Sequence, residues 1–150
     1  MADGWPAPRQ PVVNHSLRIR AELSQLAVAR QFVENTGVRL GLPSAATDSL
    51  MLAVDESLSN IIQHGYNGQP GTIDIEIERG PDSLVVRLRD QAPPFDPTRL
   101  PDPDTRLPLN QRPVGGMGVY LTRRSVDGLA YERLPEGGNQ LTLTKKVGPG

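Results

Sequence analysis

Two stretches of strict apolar–polar alternation, separated by a turn, constrain the fold more than anything else in the chain. Ile73, Ile75 and Ile77 alternate with Asp74, Glu76 and Glu78, and Leu84, Val86 and Leu88 alternate with Arg87 and Arg89. Successive side chains of a strand point to opposite faces, so each stretch has one oily and one charged face. Gly80-Pro81-Asp82 supplies a turn between them, which makes a β-hairpin. A hairpin with one apolar face is not stable alone in water. That face must be covered by helices or by another sheet.

The rest of the chain offers the covering elements. Leu17, Ile19 and Ala21 alternate with Arg18 and Arg20 and read as a half-buried strand. Leu26, Ala29, Phe32, Val33 and Thr36 fall at helical spacing, with Gly37 placed to end that helix. A second helix opens at Pro43-Ser44, with Ser44 as N-cap and Asp48 in the first turn, and carries the stripe Leu50, Val54, Leu58 and Ile61 until Gly65 and Gly68 close it. Residues 91–114 hold seven prolines and no consistent period, so they form a long loop. A short helix follows Gly115-Gly116-Met117-Gly118, and two strands, at 129–134 and 140–147, are joined by Pro135-Glu136-Gly137-Gly138. Few strands are joined by a crossover helix, so the sheet should be mostly antiparallel. The fold class is α+β, a two-layer α/β sandwich with helices on one face of the sheet. One domain over 12–147 is expected, with loose tails at 1–11 and 148–150.

Composition removes several function classes. A formal net charge of -1 gives no basic field for nucleic acid. There is no cysteine, hence no disulfide and no thiolate metal site. No apolar run reaches membrane-spanning length, and Met1 to Gln10 lack a hydrophobic stretch of signal type, so the expected location is the cytoplasm.

Three clusters can carry chemistry. Glu56 and Asn60 are four apart and share a helix face, roughly opposite the apolar stripe. A carboxylate beside a carboxamide offers oxygen ligands and a base, which suits Mg²⁺; a solvated polar face is the plain alternative. Asp90 ends a strand before Gln91-Ala92-Pro93-Pro94-Phe95-Asp96-Pro97, where it can accept from an exocyclic amine or simply initiate a turn. Gly115, Gly116 and Gly118 open a helix, where backbone N–H groups make an anion site, although the spacing is neither that of a Walker loop nor of a dinucleotide fold.

Taken together and in this order, the clusters resemble the GHKL ATPase/kinase superfamily, whose fold is the Bergerat fold. Glu56–Asn60 is similar to its N box, Asp90-Gln91-Ala92 to its first glycine box, Gly115-Gly116-Met117-Gly118 to its second, and 91–114 to its ATP lid. Within it the chain most resembles the anti-sigma-factor serine kinases of bacterial partner switching, the RsbW and SpoIIAB type, through Glu56-Ser57-Leu58-Ser59-Asn60-Ile61-Ile62-Gln63-His64-Gly65-Tyr66 and Pro93-Pro94-Phe95-Asp96-Pro97. The resemblance implies ATP and Mg²⁺ as cofactors. It makes Glu56 the general base, Asn60 the Mg²⁺ ligand, Asp90 the adenine contact, and Gly115, Gly116 and Gly118, with Met117 between them, the phosphate wrap. Two positions depart from the pattern. Ala92 stands where a glycine is usual, and Asn139 stands where a threonine commonly helps hold adenine through water.

The resemblance also implies partners: a STAS-domain antagonist protein as substrate, a sigma factor or other regulator as target, and a homodimer. A nucleotide-switched binding module without kinase activity, and an ATPase that hydrolyses without a protein acceptor, are the alternatives. Arg106 or Arg112 of the lid is a candidate γ-phosphate clamp, against a solvated loop arginine. His64 reads as a helix-end histidine with a polar partner, and Trp5 as part of the tail.

Overall fold

The computed structural model describes residues 15–99, 106 and 116–147. Five strands and three main helices follow one another as β1 (His15–Arg20), α1 (Leu26–Arg39), α2 (Ser44–Asn60), β2 (Thr72–Arg79), β3 (Ser83–Asp90), α3 (Gly116–Ser125), β4 (Gly128–Arg133) and β5 (Asn139–Lys146). The strands form one sheet in the order β1-β2-β3-β5-β4, and every neighbouring pair is antiparallel. This is the α+β sandwich expected from the alternation. Ile73, Ile75 and Ile77 of β2, Leu84, Val86 and Leu88 of β3 and Leu143 of β5 are fully buried beneath Leu50, Ala53, Val54 and Leu58 of α2 and Val33 of α1.

The opposite face of the sheet is a lattice of charge. Arg18 pairs with Asp74 at 2.6 Å across β1 and β2, and Arg87 bridges Glu76 and Glu78 at 3.1 and 2.8 Å. Arg89 reaches Gln140 at 2.7 Å. Half-exposed pairs of this kind add little stability each, but opposite charges at facing positions favour this strand register over a slipped one.

Two helix boundaries differ from the sequence reading. α1 runs through Gly37, which is buried against Leu42 and Thr47, and ends at Arg39. The stop is Gly41, whose φ of +88° lets Leu42 N–H reach Gly37 O at 2.9 Å and Gly41 N–H reach Val38 O at 3.1 Å, a Schellman closure. Ser44 is the first residue of α2 rather than its cap, and Asp48 lies beyond the first turn. No side chain caps this end, and the Thr47 hydroxyl donates back to Pro43 O at 3.0 Å.

α2 does not simply stop at Asn60. Its last turn widens into a π-helical turn, Ile61–Gly65, before the chain reverses at Asn67 and Gly68. Such widened turns recur at functional sites, where they re-aim side chains. Here the widening delivers Tyr66 onto Gly71, where any Cβ would lie 2.2 Å from the ring. The Tyr66 hydroxyl donates to Thr72 O at 2.6 Å and accepts from Gln91 N–H at 2.8 Å. One buried phenol thus ties the end of α2 to the start of β2 and the end of β3.

Candidate active site

The site follows from strand parity. Leu84, Val86 and Leu88 face the helices, so the next inward position on β3 is Asp90. Its cross-strand partner is Asn139, the first residue of β5, and Tyr131 of β4 is paired with Leu141 beside it. The hydrophobic layer therefore gives way at one end of the sheet to polar side chains facing inward. Gly138 makes this end possible. With φ +97° it passes so close to the Asp90 carbonyl that an added Cβ would stand 2.3 Å from that oxygen.

Asp90 is only 4% exposed. Its Oδ1 accepts from Asn139 Nδ2 at 2.8 Å and from Ala92 N–H at 2.9 Å. Burial pushes its pKa up, and the Asn139 bond, the Ala92 N–H and the positive charge of Arg133 oppose that. Asn139 also donates to Ala92 O at 3.1 Å and Pro93 O at 3.2 Å, so it clasps the first residues of the 91–114 loop. Ala92 is buried behind Asp90, its methyl group 3.4 Å from where a Cβ on Gly65 would stand.

On the other side lies α3. Gly118 and Thr122, one turn apart, lie on the side of α3 that meets α2, and Thr122 Oγ1 donates to Gly118 O at 2.9 Å. A Cβ on Gly118 would stand 2.8 Å from Glu56 Oε2 and 3.6 Å from Asn60 Nδ2. The glycine is therefore what lets the start of α3 reach the Glu56–Asn60 face. That face is half-buried against α3, not turned to open solvent.

Between these walls is a pocket, partly open to solvent. Asn60, Asp90, Tyr131 and Asn139 line it, together with Gly65, Phe95 and Thr122. Glu56 stands one helical turn from Asn60 at Gly118, beside the cavity rather than in its wall. The loop enters over the cavity mouth. Phe95 lies 6.5 Å from His64, ring to ring, so the neighbour of that histidine is aromatic rather than the polar partner expected. Pro97 is buried, Asp96 caps the following turn by accepting from Thr98 N–H at 2.9 Å, and Arg123 of α3 donates to Thr98 O.

The residues expected from the sequence thus fall as follows. Glu56 and Asn60 both lie against Gly118, and Asn60, Asp90 and Asn139 share one cavity. Gly116 and Met117 form the first turn of α3. Gly115, Arg112 and Trp5 lie outside the described residues. The sequence reading missed Tyr131, Tyr66 and Gly138 as parts of the site. Inward parity on β4 was the available signal for Tyr131. Nothing local marks the other two.

The set of donors suits a magnesium nucleotide. Among the described residues the side chains of Glu56 and Asn60 have no hydrogen-bond partner, and no group of three or more His, Asp or Glu side chains converges. Mg²⁺ takes one or two protein oxygens and completes its shell with water and phosphate, so Asn60 with Glu56 nearby is sufficient.

A family model described as a histidine kinase-like ATPase domain matches residues 19–145, nearly all of the chain. The chain belongs to this family. Among curated relatives, proteins named serine-protein kinase RsbW are similar to it: those of Bacillus cereus strain G9842, Bacillus thuringiensis subsp. konkukian strain 97-27 and Bacillus mycoides strain KBAB4. Each is 24% identical over 135 residues, covering 87% of this chain and 83% of the relative. No helix among the described residues is long and apolar enough to cross a membrane.

Proposed function

We propose that this chain is a serine/threonine protein kinase of the anti-sigma type, which binds Mg-ATP in the cavity and phosphorylates a STAS-domain antagonist protein in a partner-switching system. One observation carries the reading: Glu56 and Asn60 meet the glycine start of α3 at one side of a cavity whose other end is a buried carboxylate. The separation of functions is chemically sensible. Asp90 supplies an acceptor for the adenine amine, and the unpaired N–H groups at the start of α3 favour phosphate. The similarity to proteins named serine-protein kinases supports serine as the acceptor residue.

Asn60 would hold Mg²⁺, which when bound neutralises phosphate charge. Transfer then needs mainly positioning and a proton acceptor. The partner serine oxygen attacks the γ-phosphorus, ADP leaves, and Glu56 takes the serine proton. Removing that base without changing its shape tests the role. Glu56→Gln should keep Mg-ATP binding and lower phosphate transfer to the partner by at least about 100-fold. Transfer at the wild-type rate would rule Glu56 out as the base.

A second reading has its own support. Asn139 joins Asp90 directly to the root of the 91–114 loop at Ala92, Pro93 and Phe95. In that reading nucleotide occupancy orders the loop, and the chain holds a sigma factor or another regulator as a switch without phosphorylating anything. Nucleotide-dependent capture of the partner with no label transferred from γ-labelled ATP would favour the switch.

A further inference from the structure

The first residues of the long loop are fastened to three elements around the cavity mouth. Asn139 of β5 holds Ala92, Pro93 and Phe95, Arg133 of β4 donates to Ala92 O at 3.3 Å, and Phe95 faces His64 at the end of α2. The chain then makes one tight turn, Pro97–Arg99. Asp96 braces that turn from within. Its Oδ1 accepts the Thr98 N–H at 2.9 Å and the Thr98 hydroxyl, and its Oδ2 pairs with Arg99 at 3.3 Å. Pro97 is buried and lines the cavity.

A fourth fastening comes from α3. Arg123 donates from Nη2 to Thr98 O. A guanidinium bond to a carbonyl is charge-assisted and stronger than a neutral one. Arg123 is not part of the cavity wall. With Thr98, Val126, Asp127, Gly128 and Leu129 it lines a separate cleft, and Leu129 is a wall of both spaces. The turn is therefore gripped from outside, with Pro97 on the cavity side and Thr98 O on the α3 side. The same helix carries Gly118 against Glu56 and Asn60 at its other end.

We propose that Arg123 is a positioning residue for nucleotide binding, which holds the Pro97–Arg99 turn against the cavity from outside and so sets how long a bound nucleotide is retained. The inference rests on the nucleotide reading above and deepens it. With Arg123 in place, Pro97 leaves the cavity wall only when Thr98 O breaks from α3. Without it, the turn keeps its Asp96 brace and its root at Asn139 but loses this tie to the helix layer. A wall that opens more often acts mainly on the dissociation rate.

Release of ribose-labelled fluorescent ATP and ADP, with Mg²⁺, chased by excess unlabelled nucleotide, tests this. Arg123→Met keeps the apolar stem and removes the donors, and should speed release of both nucleotides by about tenfold. Asp96→Ala unbraces the same turn from the loop side and should also speed release. Arg30→Met, which breaks the Arg30–Asp55 pair between α1 and α2, should leave release unchanged. Arg123→Met that melts earlier without nucleotide but releases both at the wild-type rate has lost a merely structural contact, and that result overturns the proposal. Faster release confined to ATP, or faster release in Arg123→Met with none in Asp96→Ala, means that Arg123 meets phosphate directly and also overturns it. Equal acceleration in Arg30→Met means general loosening and does the same. Wild-type protein that binds neither nucleotide overturns the nucleotide reading and the proposal with it.

Discussion

Asp90 sets stability against its proposed nucleotide contact within a single residue. Its burial costs the folded state whenever it is ionised, and its pKa lies above the ordinary carboxylate value for that reason. A raised folded pKa contributes stability that is fully present below the unfolded value of about 3.9 and is lost as pH rises through the folded value. Asp90→Asn keeps an acceptor for Asn139 and Ala92 but carries no charge. Chemical denaturation from pH 4 to pH 8 should therefore show its stability relative to wild type increasing with pH, as nucleotide binding is lost. A difference that stays constant with pH would contradict the assignment of burial as the cause.

Gly118 gives a second residue-scale outcome. Alanine is the better helix former by about 1 kcal/mol, yet its methyl would stand against Glu56 Oε2. The far end of a flexible glutamate can move aside, so the fold should survive. Glu56 should not keep its place, and misplacing a catalytic group by about 1 Å can cost about 100-fold in rate. Gly118→Ala should therefore bind adenine nucleotide and transfer phosphate poorly. Undiminished transfer would show that Glu56 is not held by this contact.

Element boundaries show what a local pattern can and cannot report. Helical spacing and a glycine at 37 suggest an end there, but Gly37 is interior and buried, and Gly41 is the residue with positive φ. The two positions should respond oppositely to alanine. Gly41→Ala should cost roughly 1–2 kcal/mol through its left-handed backbone. Gly37→Ala should be neutral or stabilising by up to about 1 kcal/mol, because an added Cβ finds ordinary contacts near 3.5 Å. Urea denaturation of the two variants checks this, and a costly Gly37→Ala beside a harmless Gly41→Ala would reverse the boundary. The strands were easier to read. Ile73 to Ile77 and Leu84 to Leu88 alternate without a break, and alternation is a direct image of which face is buried. The π-helical turn at Ile61–Gly65 left no such image, because no alternation or helical period marks a single widened turn.

The whole molecule joins what the sequence keeps apart. Residue type and spacing single out Glu56, Asn60 and Asp90 only beside plainer alternatives, the resemblance supplies their expected roles, and strand parity places Asp90 indoors. That Tyr131, Asn139 and Gly138 complete the same end of the cavity depends on the β1-β2-β3-β5-β4 order, in which β5 lies between β3 and β4. Pairing of that kind is a long-range property, and no window of sequence contains it. The role of Asn139 illustrates the difference. Its residue type suggests a ligand contact, while the five hydrogen-bond partners of its side chain make it the clasp between Asp90 and the root of the loop. The proposed function requires this cavity to hold one magnesium-bound adenine nucleotide. Equilibrium dialysis of the full chain against labelled ATP with Mg²⁺ measures that directly. Saturable binding of one nucleotide per chain, lost in Asp90→Asn, is the predicted result; no saturable binding to the wild type, or equal binding to the variant, would contradict it.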